Sequence, residues 1–243
     1  MHPIICQIGP FTIYSYGLTL VAAFLVSSAL IILEAKREKI NPETILNFCF
    51  IVFIWGIAGA RLLYILENAG YYLKNPLEII MLQHGGLSWF GGLTLGTFSG
   101  IVYLKKKNLA VYKILDLIVP FVALAQAVGR IGCLLNGCCF GKVSKFGIYF
   151  PAHNSLLIPT QIYSSLVLIF IFMILRFLQN RPHRASEIFF TYLLLYSLKR
   201  FFIEFWRFDN QIIFLGLTLF QVMSIVIFFL SFFKLLLIRR PKD

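Results

Sequence analysis

The chain has 243 residues, of which 59% are hydrophobic and 16% aromatic, and its 22 Lys and Arg against 10 Asp and Glu give a formal net charge of +12. This composition and a mean hydropathy of +0.84 exclude an ordinary soluble domain and indicate a membrane protein. The basic residues are distributed over the predicted loops, so the positive charge does not indicate nucleic-acid binding.

Seven apolar runs of about 17 to 25 residues are each long enough to cross the hydrocarbon core as a helix. They lie near residues 13–33, 44–66, 87–104, 114–134, 160–178, 186–206 and 212–238. Backbone groups in lipid must be satisfied within the segment, and no run alternates as a barrel strand does. The sequence therefore predicts an all-α polytopic membrane protein with seven transmembrane helices in a single integral membrane domain, 1–243.

The basic residues also predict the topology. If the N-terminus is outside, fourteen of the 22 Lys and Arg lie in inner segments and four in outer segments. This bias predicts an outer N-terminus and a cytoplasmic C-terminus. The N-terminus lacks the basic region of a cleavable signal, so we expect the first span to be retained. Four basic residues lie within or at the ends of spans: Arg61, Arg130, Lys199 and Arg200.

Arg61 is the first of these, in the run WGIAGARLLYIL. A charge at membrane depth needs a partner, a water-filled cavity or a function. One interpretation is structural, with Arg61 snorkelling or pairing with Glu67; the other is functional. The sequence leaves both open.

The segment QHGGLSWFGG at 83–92 combines a histidine, paired glycines and a serine. Gly85 and Gly86 permit backbone conformations that expose N–H groups to an anion. His84 has the chemistry of a general base at neutral pH, but it also fits a solvated interfacial side chain. Three glycines spaced four residues apart predict close helix packing: Gly92, Gly96 and Gly100.

The segment VGRIGCLLNGCCFGK at 128–142 places an arginine, four glycines and three cysteines after an apolar run. The guanidinium of Arg130 is always charged and binds phosphate through a planar fork. The glycines allow a tight turn that brings backbone donors to the same anion, so we interpret the segment as a phosphate cradle.

The cysteines of this segment, Cys133, Cys138 and Cys139, have several interpretations. Five cysteines without repeated CxxC pairs support neither a disulfide framework nor a zinc site. We favour small apolar side chains beside a lipid cavity, and next a disulfide from Cys133, formed if the chain turns back at Gly137. A thiol relay and a metal site are further alternatives.

Near the end of the sixth run, Tyr196, Arg200, Glu204 and Arg207 recur at spacings of four, four and three residues. This spacing predicts one helical face and an ion pair between Arg200 and Glu204 that orients the arginine. Lys199 lies about 100° away and has no assigned role. Two phosphate-binding arginines and a histidine, all near the outer face, indicate an enzyme that acts on phospholipids.

At this point the sequence resembles a family, the prolipoprotein diacylglyceryl transferases of bacterial plasma membranes. The resemblance rests on six motifs in the family's order, which together cover most of the chain. They are SYGL at 15–18, GARLLYIL at 59–66, HGGLSWFGGL at 84–93, GRIGCLLNGCCFG at 129–141, PTQIYSS at 159–165 and YSLKRFFIEFWR at 196–207.

The resemblance implies transfer of a diacylglyceryl group from phosphatidylglycerol to the lipobox cysteine of a preprolipoprotein, with release of glycerol phosphate. It implies that Arg130 and Arg200 clamp the phosphate, that Tyr16 and Tyr196 hydrogen-bond the headgroup or thiol, and that Glu204 holds Arg200. His84 is either the base or a residue that orients the headgroup, with substrate phosphate or water then accepting the proton.

The implied catalytic residues are His84, Arg130, Tyr196, Arg200 and Glu204. The implied phosphatidylglycerol-binding residues are Tyr16, Arg61, Gly85, Gly86, Ser88, Arg130, Asn136, Gly141, Gln161, Arg200 and Arg207. The implied partners are phosphatidylglycerol, preprolipoproteins and membrane lipids. We expect no cofactor, no metal and no nucleic acid, and an inner-membrane location with the active site toward the outer face.

Departures from the family pattern indicate a divergent branch. Cys133 replaces the usual asparagine, Cys138 stands where an acidic residue is frequent, and Ile158 and Ser164 replace a histidine and a glutamate. The segment 135–159 has room for a hairpin or a short helix in place of the family's larger outer head. These changes bear on the acceptor or lipid donor more than on the fold.

Three alternative functions are compatible with the residues alone. An anion transporter or channel would use intramembrane arginines and glycine breaks, although the chain lacks inverted repeats and its polar residues lie toward one face. A thiol redox protein would require the three cysteines. A divergent family member would bind phospholipid but act on another acceptor.

Overall fold

The computed structural model describes residues 1–8, 11–81, 85–208, 212–214 and 216–239. Most of these residues are helical. The helices are α1 (Ser15–Arg37), α2 (Pro42–Glu67), α3 (Ala69–Tyr72), α4 (Trp89–Lys106), α5 (Val111–Asn136), α6 (Thr160–Gln179), α7 (Glu187–Glu204) and α8 (Leu219–Arg239).

Three short antiparallel hairpins accompany the helices. Their strands are β1 (Ile4–Ile8) with β2 (Phe11–Tyr14), β3 (Val143–Phe150) with β4 (Ser155–Leu157), and β5 (Ile212–Phe214) with β6 (Leu217–Thr218). The hairpin of β3 and β4 lies in the segment 135–159, where the sequence leaves room for a hairpin or a short helix. The other two hairpins are additions to the predicted all-α fold.

Within the described residues, five helices are long and apolar enough to cross a membrane by length and composition: α1, α2, α5, α6 and α8. The protein is therefore a mostly helical membrane protein. Helices α4 and α7 coincide with the predicted runs 87–104 and 186–206. That these two also cross the bilayer stays a prediction, as does the orientation of the termini.

The predicted start of the last span, residue 212, is wrong, because α8 begins at Leu219 after the β5–β6 hairpin. A capping box fixes this start. The backbone N–H of Gln221 donates to the Thr218 hydroxyl over 3.3 Å, and the Thr218 N–H donates to the Gln221 carboxamide over 3.0 Å. These bonds satisfy N–H groups that have no partner within the helix.

The chain divides into two compact units, unit 1 (Met1–Leu30 with Tyr112–Asp243) and unit 2 (Ile31–Val111). In unit 2, α2 packs against α4 through glycines. A Cβ on Gly59 or on Gly91 would overlap the backbone of the other, and Gly96 lies against Gly56. The packing role predicted for the spaced glycines of α4 is confirmed, because only small residues permit this approach.

In unit 1, α7 packs against α6 and α8. The N-terminus of α7 is held by a carboxylate of α5. Asp116 accepts hydrogen bonds from the backbone N–H groups of Ser186 at 2.5 Å and Phe189 at 2.7 Å. The buried side chains of Leu168 and Ile188 fill the core between the helices. This packing fixes the register of α7, which carries several of the candidate site residues.

Candidate active site

Four basic side chains of unit 1 form what we call the basic cluster: Arg130 of α5, Lys199 and Arg200 of α7, and Arg207, which follows α7. Arg130, Arg200 and Arg207 all interact electrostatically with Lys199, and Arg130 and Arg207 also interact with Arg200. The two predicted phosphate-binding arginines, Arg130 and Arg200, therefore lie in one neighbourhood.

Arg200 is held from two sides. Its Nη2 lies 3.1 Å from Oε2 of Glu204, whose side chain is fully buried, which is the ion pair that the sequence predicts. Its guanidinium carbon lies 4.3 Å from the centre of the Phe220 ring. The Thr218 hydroxyl donates to Oε1 of Glu204 over 2.9 Å. The sequence interpretation missed Thr218. Its hydroxyl holds the Glu204 carboxylate, and that carboxylate holds Arg200.

Arg130 and Lys199 differ from Arg200 because neither pairs with a carboxylate of the described residues. Within that part of the chain, no hydrogen bond is formed by the half-buried guanidinium of Arg130. Lys199 is 6% exposed, and its ammonium lies 4.5 Å from the centre of the Tyr196 ring. Because a guanidinium keeps its charge when it is removed from water, Arg130 without a counter-charge favours binding of an anion.

Arg207 lies beyond α7, which ends at Glu204, and its N–H donates to the Glu204 carbonyl over 3.2 Å. That its side chain shares the face of Tyr196, Arg200 and Glu204 stays a prediction. The backbone of Arg207 pairs with Gly141 across an antiparallel bridge. A Cβ on Gly141 would approach the Trp206 carbonyl oxygen to 2.6 Å, so a side chain at position 141 would push this bridge apart.

Cys133, Cys138 and Cys139 form a second group, which we call the thiol cluster. Their three Sγ atoms all lie within 4.8 Å of one another, and all three are partly buried free thiols. The chain turns back at Gly137, which has φ of +75°, and the Cys138 N–H donates to the Cys133 carbonyl over 3.1 Å. The turn at Gly137, on which the disulfide alternative depends, is therefore present, while the three cysteines are free thiols.

Two side chains at the start of α6 hold the loop of the thiol cluster. The Thr160 hydroxyl donates to the Cys139 carbonyl, and the Gln161 amide donates to the Cys138 carbonyl, each over 2.6 Å. Gln161 is 1% exposed, and its Oε1 atom has no hydrogen-bond donor within the described part of the chain. A buried acceptor of this kind is available to a bound polar group.

The thiol cluster and the basic cluster adjoin each other. Hydrogen bonds with Cys133 and Cys138, together with the charges of Arg207 and Arg130, lower the pKa of the Cys139 thiol. Asn136, the last residue of α5, hydrogen-bonds to Cys138. Tyr16 of α1 interacts electrostatically with the three cysteines and with Arg130. Tyr16, Arg130 and Asn136 therefore all interact with the thiol cluster.

Arg61 of unit 2 has a different environment. Its five N–H donors are directed at backbone carbonyls: Nε bonds to Ile79 at 3.0 Å, and the two terminal nitrogens bond to Glu78, Met81, Gly85 and Gly86. The side chain is 6% exposed. The Glu67 carboxylate, the alternative partner considered from the sequence, instead accepts from the Ser88 hydroxyl at 3.3 Å. Arg61 therefore holds the chain that precedes α4.

Gly85 and Gly86 both have positive φ, +80° and +82°. A Cβ on Gly86 would lie 2.5 Å from the Tyr64 ring and 2.8 Å from Arg61, whereas one on Gly85 would meet nothing within 4 Å. Ser88 is the residue before α4, and its N–H donates to the Ala60 carbonyl over 2.9 Å. His84, the predicted base, lies outside the described residues.

An apolar groove of about 460 Å³ lies in unit 1. Its lining includes Phe146, Tyr163, Val167 and Trp206. Trp206 directly precedes Arg207 in the chain. A groove with an apolar lining suits the apolar part of a ligand.

The chain is similar over most of its length to known proteins. The family model described as prolipoprotein diacylglyceryl transferase matches residues 3–237. The chain is 35% identical to the phosphatidylglycerol–prolipoprotein diacylglyceryl transferase of Clostridium tetani, over 87% of each chain. It is 34% identical to the protein of the same name from Streptococcus uberis, over 100% of this chain and 97% of that one, and 33% identical to that of Limosilactobacillus reuteri, over 100% and 93%.

Proposed function

Because this chain belongs to the prolipoprotein diacylglyceryl transferase family, we propose that it transfers the diacylglyceryl group of phosphatidylglycerol to the lipobox cysteine of preprolipoproteins. The cysteine sulfur attacks the glyceryl carbon, a C–S bond forms, and the C–O bond to the phosphate breaks. The products are a thioether-linked lipid and glycerol phosphate. Family membership disfavours the transporter and redox alternatives.

The observation that carries this proposal is a cation of the basic cluster, Arg130, that has no carboxylate partner in the described part of the chain. Arg130 and Lys199 pair with no carboxylate among the residues described. The leaving group of the reaction is a phosphate whose negative charge grows as the C–O bond breaks. Fixed cations that face this charge in a water-poor site stabilise the transition state more than they stabilise the bound lipid.

The residues of the basic cluster have different roles in binding the phosphate. Arg130 and Arg200 clamp the phosphate, because the guanidinium fork matches two phosphate oxygens, and Lys199 and Arg207 add charge. Glu204 positions Arg200, and Thr218 positions Glu204. Tyr196 and Tyr16 donate their hydroxyl groups to the headgroup or the acceptor thiol.

The other predicted site residues are assigned roles from the polar groups that each of them can offer to a substrate. Gln161 Oε1 accepts from a hydroxyl or N–H of a substrate, and Asn136 and Gly141 form the turn around the phosphate. Arg61 positions Gly85 and Gly86 through their carbonyls, while Gly85, Gly86 and Ser88 present backbone groups to the lipid. His84 is the proposed base or headgroup-orienting residue. An acyl chain of the donor occupies the apolar groove beside Trp206.

We place the protein in the bacterial inner membrane as one integral membrane domain with seven spans, an outer N-terminus and a cytoplasmic C-terminus. The distribution of basic residues supports this orientation. It puts the end of α5 and the end of α7 at the outer face, where exported lipobox peptides arrive. Both substrates are anchored in the bilayer, so both enter laterally between helices.

The experiment that tests this function is a reconstituted assay. Purified protein in vesicles of phosphatidylglycerol is incubated with a lipobox peptide, and mass spectrometry measures a diacylglyceryl adduct on the cysteine sulfur. A peptide with serine in place of the cysteine is the matched control. We expect an adduct with the cysteine peptide that requires phosphatidylglycerol. If no anionic phospholipid yields an adduct while the protein remains folded, the proposal is wrong.

A further inference from the structure

The thiol cluster has no role in the reaction as described above, yet it gathers three metal-binding side chains. Its Sγ atoms lie within 4.8 Å of one another. In a tetrahedral zinc site with Zn–S bonds of about 2.3 Å, the sulfurs lie about 3.8 Å apart. Side-chain shifts of less than about 1 Å therefore close the observed cluster around one ion. From the sequence, this proximity is one alternative, which depends on a turn back at Gly137.

We propose that Cys133, Cys138 and Cys139 bind one zinc ion as three thiolates and leave a fourth coordination position for the acceptor cysteine. This inference rests on the proposed function, because it names the way in which the acceptor thiol is activated. Within the described residues the group contains three ligands. Zinc sites with three protein ligands and an open position are of the catalytic kind, whereas structural sites have four.

The backbone around the ligands is fixed before any ion binds. Cys133 lies in the last turn of α5, and the Cys138 N–H bonds back to its carbonyl. Thr160 and Gln161 hold the carbonyls of Cys139 and Cys138 from the α6 side. These bonds hold the backbone from which the Cys138 and Cys139 side chains extend. The loop therefore does not need to fold around the metal.

The charges near the cluster fit a zinc–thiolate complex. Three thiolates and Zn²⁺ carry a net charge of about −1, and a fourth thiolate makes it about −2. Arg130 and Arg207 act electrostatically on this cluster. They stabilise the anionic complex and bring the phosphate that they bind close to the sulfur that must attack. The same side chains thus serve both substrates.

Coordination supplies the deprotonated thiol that the reaction needs. A free cysteine is only a few per cent thiolate at pH 7, whereas a thiol bound to zinc is deprotonated outright. The acceptor proton leaves to water, or ends on the departing phosphate. The sulfur then forms the C–S bond as the C–O bond to phosphate breaks, and the thioether leaves the zinc. No oxidant or reductant is involved.

Metal content of the purified full-length protein is the first test. Protein prepared under mild reducing conditions with zinc present, then freed of loose metal, is expected to hold about one zinc per chain. Cys133→Ser, Cys138→Ser and Cys139→Ser each lose that zinc, while Cys6→Ser and Cys49→Ser retain it as matched controls. Copper in place of zinc, a disulfide within the cluster, or equal zinc in all five variants would overturn the proposal.

Cobalt replacement in the unmutated protein tests the open position without depending on the folding of a variant. Thiolate-bound Co²⁺ gives sulfur-to-metal charge-transfer bands and visible bands of tetrahedral intensity. A lipobox cysteine peptide is expected to increase the charge-transfer intensity by about one third, since a fourth sulfur joins three. The serine peptide leaves the spectrum unchanged. Identical spectra with the two peptides would exclude thiol coordination.

The transfer assay separates this inference from the proposed function. The variant with serine at all three positions is expected to transfer lipid about tenfold to thirtyfold more slowly than the unmutated protein at pH 7. This difference in rate is expected to shrink as the pH approaches about 8.5, where a free acceptor thiol ionises. A variant that keeps the full rate at every pH contradicts the zinc role and leaves the transferase intact. A cobalt protein that binds the peptide but forms no adduct contradicts the transferase and leaves the metal site intact.

Discussion

Arg61 and Arg130 are both arginines in apolar helices, but their surroundings are opposite. Arg61 of unit 2 directs its donors at five backbone carbonyls. Arg130 of unit 1 lies beside Lys199, Arg200 and Arg207, and among the described residues it has no hydrogen-bond acceptor. The comparison teaches that an intramembrane arginine is not by itself evidence of a binding site. A fully bonded one holds the chain, while a cation without an acceptor is available to a ligand.

The largest expected effect is on Arg130. Arg130→Ala removes a cation that faces the leaving phosphate, so we expect transferase activity to fall by about 10² to 10³-fold while the protein stays folded. The adduct assay with phosphatidylglycerol measures the rate, and thermal unfolding in detergent measures stability. Arg130→Lys is the control, and partial recovery is expected because it restores the charge but not the fork. Full activity of Arg130→Ala would show that the phosphate is bound elsewhere.

The reverse pattern is expected for Arg61. Arg61→Lys keeps the charge, but the lysine ammonium cannot reach five carbonyls. Each hydrogen bond to a charged group that is lost lowers the stability by at most about 1.5 to 3 kcal/mol. The variant is expected to lose more thermal stability than Arg130→Lys and less activity at a temperature where both are folded. If Arg61→Lys instead abolished transfer without lowering the unfolding temperature, the structural role given to Arg61 would be wrong.

The loop held by Arg61 offers a matched pair of glycines. Gly86→Ala meets both an unfavourable φ and a clash with Tyr64 and Arg61, whereas Gly85→Ala meets only the unfavourable φ. Strain at such a φ costs about 1 to 3 kcal/mol, and the clash adds to it. Gly86→Ala should therefore unfold at a lower temperature than Gly85→Ala. Equal unfolding temperatures would show that the loop has room for the added methyl group.

The smallest effect is expected at Thr218. Thr218→Ala removes the cap of α8, worth about 1 kcal/mol, and the hydroxyl that bonds to Glu204. Thr218→Ser is the control that keeps both bonds. If Thr218 positions Arg200 through Glu204, the alanine variant loses activity in kcat more than in KM for phosphatidylglycerol, and the serine variant recovers it. A loss of stability alone, with unchanged kcat, would limit Thr218 to capping.

The helices could be predicted from sequence because each apolar run is long and continuous. Their observed bounds differ from the predicted ones by a few residues, with α8 as the exception. Short strands such as Ile212–Phe214 are apolar like the helices that follow them, so composition does not separate them. The signal for the start of α8 was present, since Thr218 and Gln221 have the spacing of a capping box.

The candidate site was predicted unevenly for physical reasons. The ion pair of Arg200 and Glu204 follows from helical spacing, and the structure confirms it. The same rule extends beyond the end of α7 to Arg207, whose place on that face stays a prediction. Lys199 lies three residues after Tyr196, a spacing that puts them in contact, and this signal was overlooked. The convergence of three cysteine sulfurs depends on the turn at Gly137, which is one of the alternatives from the sequence, and on bonds from α6, which no local pattern encodes.

The central claim is that the basic cluster of unit 1 binds the phosphate of the lipid headgroup. Phosphorus NMR of short-chain phosphatidylglycerol tests it most directly, with the unmutated protein, Arg61→Lys and an Arg130→Ala, Arg200→Ala double variant compared at a temperature where all three are folded. We expect the phosphorus signal to shift and broaden with the first two proteins and to stay unchanged with the double variant. Equal shifts with all three proteins, or a shift lost only in Arg61→Lys, would contradict the claim.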